Sequence, residues 1–100
     1  MTKAELYFGC DIDRLNRRVT GREIADFLSD VVSPRFPGFT VLHGQGYWEG
    51  KPENSFVVVI IRGGYSGDLQ KRIKEIIDYY KKTYYQDSVG CITYDVKADF

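Results

Sequence analysis

Asp11-Ile12-Asp13 sets two carboxylates at i and i+2 just after an apolar alternating run. Paired acids at such a point can hold divalent metal for chemistry on nucleotides or nucleic acid. Two-metal chemistry needs further acids from a neighbouring hairpin, and Glu49 and Glu53 are the candidates there. The plainer reading is a solvated loop in which Asp11 and Asp13 pair with Arg14, Arg17 or Arg18. Arg62-Gly63-Gly64-Tyr65-Ser66-Gly67-Asp68 joins a strand pattern to a helix pattern, where backbone N–H groups and the helix dipole can hold an anion. The run lacks the Gly-Lys-Ser/Thr ending of a phosphate-binding Walker loop, so Arg62, Gly63, Gly64 and Ser66 also read as a plain glycine turn with Ser66 as cap. His43 is the only histidine. Any ordinary acid–base scheme must run through it, yet no serine or cysteine nucleophile pattern accompanies it.

Residues 33–48, SPRFPGFTVLHGQGYW, hold the densest mixture of groups suited to a ligand. Pro34, Pro37 and Gly38 are explained as a helix stop and a turn. Arg35 and Trp48 are not explained that way, and glycines before the only tryptophan give a strand no packing advantage. Arginine supplies a bidentate fork for an anion and the aromatic rings supply stacking surfaces. The expected binding set is therefore Arg35, His43, Tyr47 and Trp48, with Tyr7 from the first strand.

These groups must be positioned by a small scaffold. The chain has 100 residues, 43% hydrophobic and 15% aromatic, which fits one domain over residues 1–100. Fourteen basic and fourteen acidic side chains give no net charge, so general affinity for nucleic-acid phosphates is not expected. No apolar run is long enough to span a bilayer, and the first residues lack the pattern of a secretion signal, so a cytoplasmic protein without membrane association is expected. Cys10 and Cys91 are too few for a disulfide framework, and free buried thiols are expected, with a bond between them as the lesser alternative. No cofactor is implied.

Ala4, Leu6 and Phe8 alternate with Lys3, Glu5 and Tyr7, predicting a strand covered on one side. A loop follows, and Thr20-Gly-Arg-Glu23 forms a capping box before Ile24, Phe27, Leu28, Val31 and Val32, the spacing of an amphipathic helix. FTVLHGQGYW predicts a second strand, EGKPEN a hairpin loop, and SFVVVIIR a third strand whose apolar residues at both parities mark it as central. Leu69, Ile73, Ile76, Ile77, Tyr80 and Tyr84 predict a second helix with Tyr79 and Tyr85 toward solvent. SVGCITYDV predicts a fourth strand.

The order βαββαβ predicts a ferredoxin-like α+β fold: four antiparallel strands, the first and third central, with both helices on one face. The other face, bearing Tyr7 and one parity of Val57, Val59 and Ile61, then needs a cover. Either a second copy packs there, making a homodimer or larger homo-oligomer with a pocket near the interface, or the face walls a ligand cleft.

The segments AELYFG, VVSPRFPGFTVLHGQGYW and DYYKKTYYQDSV, with the apolar strand after Ser55, resemble a family of small bacterial and phage proteins known only as a domain of unknown function. The resemblance spans nearly the whole chain and marks Tyr7, Phe8, Gly9, Pro34, Arg35, Phe36, Pro37, Gly38, Thr40, Gly46, Trp48, Ser55, Ser88 and Val89. This chain has one residue fewer between proline and glycine, and the secretion or lipoprotein leader of many members is not expected in it. The resemblance implies the fold and no activity.

With no catalytic motif in view, the sequence is read as a non-catalytic binding domain for an anionic or nucleotide-like small molecule, and so as more a binder than an enzyme. If the chain is phage-borne, sequestration of a nucleotide-derived signal is the concrete version. The alternatives are an interaction module that inhibits a host protein complex and a metal-dependent enzyme acting through Asp11 and Asp13.

Overall fold

A computed structural model describes residues 1–63 and 67–100. Strand β1 (Thr2–Gly9) is followed by a short ribbon, β2 (Asp11–Ile12) against β3 (Arg17–Arg18), closed by a single 3₁₀ turn. Helix α1 (Gly21–Phe27) continues as a wider π turn over Leu28–Val32. Then come β4 (Thr40–Trp48), β5 (Lys51–Arg62), α2 (Gly67–Thr83) and β6 (Gly90–Asp95). The sheet order is β4-β5-β1-β6, every neighbouring pair antiparallel. This is the expected α+β arrangement with β1 and β5 central.

Alternation builds the two faces. Ala4, Leu6 and Phe8 on β1 and Phe56, Val58 and Ile60 on β5 are fully buried, against Phe27 and Val32 from the first helical stretch and Leu69, Ile73, Ile76 and Tyr80 from α2. The centre is aromatic: Phe8 stacks on Phe56 with centroids 4.9 Å apart and meets Tyr80 edge-on at 4.7 Å. Tyr80 and Tyr84 are core while Tyr79 and Tyr85 are exposed, as the helical spacing predicts. On the opposite face Tyr7, Leu42, Ile92 and Tyr94 are exposed, and Val57, Val59 and Ile61 are half-buried.

The capping box at Thr20 forms as read: its hydroxyl accepts from Glu23 N–H at 3.1 Å, and the Glu23 carboxylate accepts from Thr20 N–H at 3.0 Å. The expected loop over residues 49–54 is instead a tight two-residue turn. Glu49 and Gly50 both take positive φ, 50° and 77°, which matches the twist of a hairpin, and pairing resumes at once with Trp48 opposite Lys51. Pro52 is tolerated because β1 ends opposite Ser55, so this part of β5 has strand β4 on one side only. Both cysteines are free; Cys10 is buried, and Cys91 lies exposed on the edge strand rather than buried as expected.

Candidate functional site

The β4–β5 hairpin, the end of β1 and the residues after α2 meet at one end of the sheet. Gly9 is opposite Ser55, and Gly46 is opposite Glu53. Period-2 alternation puts Gly46, Glu53, Ser55, Gly9 and Tyr7 on the face the helices leave open. They line a hollow of about 390 Å³ with Gln86, Asp87 and Ser88. A second hollow, about 480 Å³, adjoins it and is lined by Asp11, Asp13, Arg14, Trp48, Lys51 and Tyr85. Glu53, Gln86 and Asp87 border both. Arg14 lies over the Tyr85 ring, 4.8 Å from its centroid, and closes one wall of the larger hollow.

Glu53 is the focus of this region. Its carboxylate occupies the space that a side chain on Gly9 would take: a Cβ there would collide with Glu53 Oε1 and stand 3.3 Å from Gln86 Oε1. Burial makes Glu53 reluctant to ionise, and the neighbouring negative charges of Asp11 and Asp13 add to the effect, so its pKa is raised above the ordinary carboxylate value. The support beneath is rigid. Tyr80, buried in the core, donates its hydroxyl to Gly9 O at 2.7 Å, and Cys10 N–H donates to Asn54 O at 2.9 Å, tying β1 to the strand that carries Glu53.

Gln86 reaches the site through a break in the helix. Tyr85 takes a left-handed φ of 53°, a position glycine usually fills, and Gln86 N–H caps Lys81 O at 3.0 Å. The chain thereby turns back over the end of the sheet. The Gln86 amide donates to Asp11 O at 2.8 Å and to Tyr84 O at 3.1 Å.

The residues expected to form one ligand pocket are dispersed. Trp48, 74% exposed, lines the larger hollow and Tyr7 the smaller. Tyr47 is exposed and donates its hydroxyl to Gln45 Oε1 at 3.2 Å. His43 lies opposite Phe56 on the edge strand, with ring centroids 6.2 Å apart. Arg35 is at the other end of the domain: it donates to Val31 O at 2.9 Å and pairs with Glu75 on α2 at 3.6 Å. Its neighbour Phe36 lies under Arg62, where β5 finishes.

In the expected anion loop, Arg62 approaches Asp68 at 4.0 Å; Gly64 and Ser66 lie outside the described residues. Asp11 pairs with Arg18 at 3.7 Å, and among the described residues no group of three or more His, Cys, Asp or Glu side chains is arranged to hold a metal ion. Among the described residues no helix is long and apolar enough to cross a membrane.

Glu53 and Gln86 are what sequence reasoning passed over as site residues. The sequence marks Glu53 only as a partner for Asp11 and Asp13. Its placement over Gly9 follows from register, which no local motif carries.

Solved structures share this architecture. A phage SAM lyase in complex with S-methyl-5′-thioadenosine is similar over 94% of this chain and 80% of its own, with TM-score 0.71 and 16% identity. A phage SAM lyase in the apo state covers 99% of this chain and 90% of its own, with TM-score 0.69 and 18% identity. A de novo designed protein, Foldit4, covers 96% and 98%, with TM-score 0.56 and 11% identity. At these identities the likeness is one of fold.

The lyase likeness overturns the expectation of a non-catalytic binder and of a chain that is more binder than enzyme. The same βαββαβ frame, over nearly the full length of this chain, carries an enzyme in the phage SAM lyases. The want of a familiar catalytic motif is therefore no ground for reading a sequestering protein or a host-blocking module. Among curated proteins none matches the chain by sequence. The family model for a protein of unknown function (DUF3574) matches residues 3–100, and the chain belongs to that family.

Proposed function

We propose that this protein is an enzyme, a lyase acting on a small cationic nucleoside of the S-adenosylmethionine type, with the substrate held at the hollow over Gly9 and faced by Glu53. The observation that carries the reading is Glu53 itself: a carboxylate packed over a glycine, between two hollows, with its ionisation opposed by burial and by Asp11 and Asp13. A bound cation compensates that cost. The fold likeness contributes the substrate class by analogy.

The chemistry fits an acidic site. As the bond from sulfur to the γ-carbon of the amino-acid arm breaks, its electron pair moves to sulfur and the arm's own carboxylate oxygen closes on that carbon. The sulfonium becomes the neutral thioether S-methyl-5′-thioadenosine, and the arm leaves as a lactone that keeps its ammonium group. The protein's part is to bind the cation, fix its conformation and keep water from the reacting carbon. Such a substrate is a soluble cellular metabolite, which agrees with a cytoplasmic site of action.

Incubation of the purified protein with S-adenosylmethionine alone, followed by chromatography and mass detection, tests this. Release of S-methyl-5′-thioadenosine in proportion to enzyme and time is expected. Quantitative recovery of the intact sulfonium after prolonged incubation would overturn the proposal.

A further inference from the structure

We infer that Gln86 is a substrate-binding residue whose side-chain carbonyl, together with the Glu53 carboxylate, receives the ammonium group of the substrate's amino-acid arm. This rests on the lyase reading and names which part of the substrate meets which atoms.

The orientation of the Gln86 amide is determined by its surroundings. Its nitrogen faces two backbone carbonyls, Asp11 O at 2.8 Å and Tyr84 O at 3.1 Å. Turning the amide over would set its oxygen against both acceptors and lose two hydrogen bonds. With both N–H groups engaged, only Oε1 remains to meet a ligand. That oxygen points to the space over Gly9 that Glu53 Oε1 also approaches. Two acceptor oxygens thus converge, and among the described residues no side chain donates a hydrogen bond to either of them. The left-handed Tyr85, an uncommon conformation for a bulky residue, is what delivers Gln86 there.

A carboxylate beside an amide oxygen suits a donor that is also a cation. Asp11 and Asp13 add negative charge around the same point, which favours an ammonium over a neutral N–H group. The course of the reaction points the same way. The charge on sulfur disappears as its bond breaks, so a carboxylate aimed at the sulfonium would stabilise the substrate more than the transition state. The ammonium keeps its charge throughout. Holding it orients the arm without opposing the bond cleavage.

The test compares S-adenosylhomocysteine with its deaminated analogue, which differ only in the ammonium group, by calorimetric titration of the wild-type protein and of Gln86→Met. In the wild type, removal of the ammonium is expected to weaken binding about tenfold or more, the range for a charge-assisted hydrogen bond. In Gln86→Met, which keeps the Glu53 carboxylate but loses the amide oxygen, that ratio is expected to fall by about threefold or more. A loop merely loosened by the substitution would weaken both compounds alike and leave the ratio unchanged, which would overturn the inference. So would a wild-type protein that does not discriminate between the two, or that binds neither. Turnover of S-adenosylmethionine measured in parallel separates the two proposals. Turnover without ammonium discrimination defeats this inference alone, and discrimination without turnover defeats the lyase reading alone.

Discussion

Gly9→Ala is a one-carbon change that separates the site from the fold. Gly9 lies at the end of a central strand and is not a positive-φ position, so alanine meets no backbone strain. Fewer unfolded conformations favour the variant by about 0.4–1 kcal/mol. Against this, the new Cβ occupies the position of Glu53 Oε1. The far end of a flexible side chain can move aside, and an off-rotamer adjustment costs about 0.5–1.5 kcal/mol. The two terms nearly cancel, so stability should change by less than about 1 kcal/mol, a melting shift within about 4–8 °C for a domain of this size. The Glu53 carboxylate must nevertheless move by roughly the radius of a methyl group. Misplacement of about 1 Å commonly costs about 10²-fold in rate. Thermal melts by circular dichroism and turnover of S-adenosylmethionine should therefore diverge, with the fold intact and the activity lost. Wild-type turnover in Gly9→Ala would refute the placement of Glu53 as the residue facing the substrate. Gross unfolding would refute the statement that only a side chain stands in the way.

Three further outcomes follow from the same geometry. Arg17, donating at 2.7 Å and 3.2 Å, and the capping hydrogen bonds hold the Glu23 carboxyl well down, to about 2, so its contribution is present above the ordinary carboxylate value and is lost as pH falls toward 2. Because the ion pair is partly exposed, Glu23→Gln should cost only about 0.5–1 kcal/mol at pH 7, with the gap to wild type closing in denaturant titrations near pH 2. Tyr80→Phe leaves the Gly9 carbonyl without its buried donor and should destabilise the protein by about 1–3 kcal/mol by urea unfolding; an unchanged midpoint would remove Tyr80 as a support of the site. The exposed apolar residues Tyr7, Leu42, Ile92 and Tyr94 are proposed to be covered by a second copy, so light scattering should give a mass above 11.5 kDa that falls to the monomer value in Ile92→Glu.

The fold was legible because independent signals agreed. Alternation over Ala4–Phe8, the Thr20–Glu23 capping box and the two-sided apolar run of Val57–Ile61 each named an element, and their order left one economical topology. The hairpin was misjudged because Gly50 and Pro52 resemble loop chemistry, whereas the turn needs only two left-handed residues and the proline lies beyond the end of β1. The site was less legible for a different reason. Arg35 and Trp48 are neighbours in sequence terms, yet the chain from one to the other runs the length of the sheet. Gly9, Glu53 and Gln86 meet only through strand register and an unusual backbone turn at Tyr85. Period and propensity do not encode either.

The most direct measurement is the rate of S-methyl-5′-thioadenosine release from S-adenosylmethionine by Glu53→Gln beside the wild type, with a thermal melt of each at pH 7. Because Glu53 has a raised pKa in the folded protein, its charge weakens the fold as pH rises through that value. Removing the charge should therefore leave stability unchanged or raise it by about 0.5–1 kcal/mol, as is common when an active-site charge is deleted. The account predicts a variant at least as stable as the wild type with turnover reduced by about 10²-fold or more, the usual cost of losing substrate positioning. Equal rates from the two proteins would contradict it.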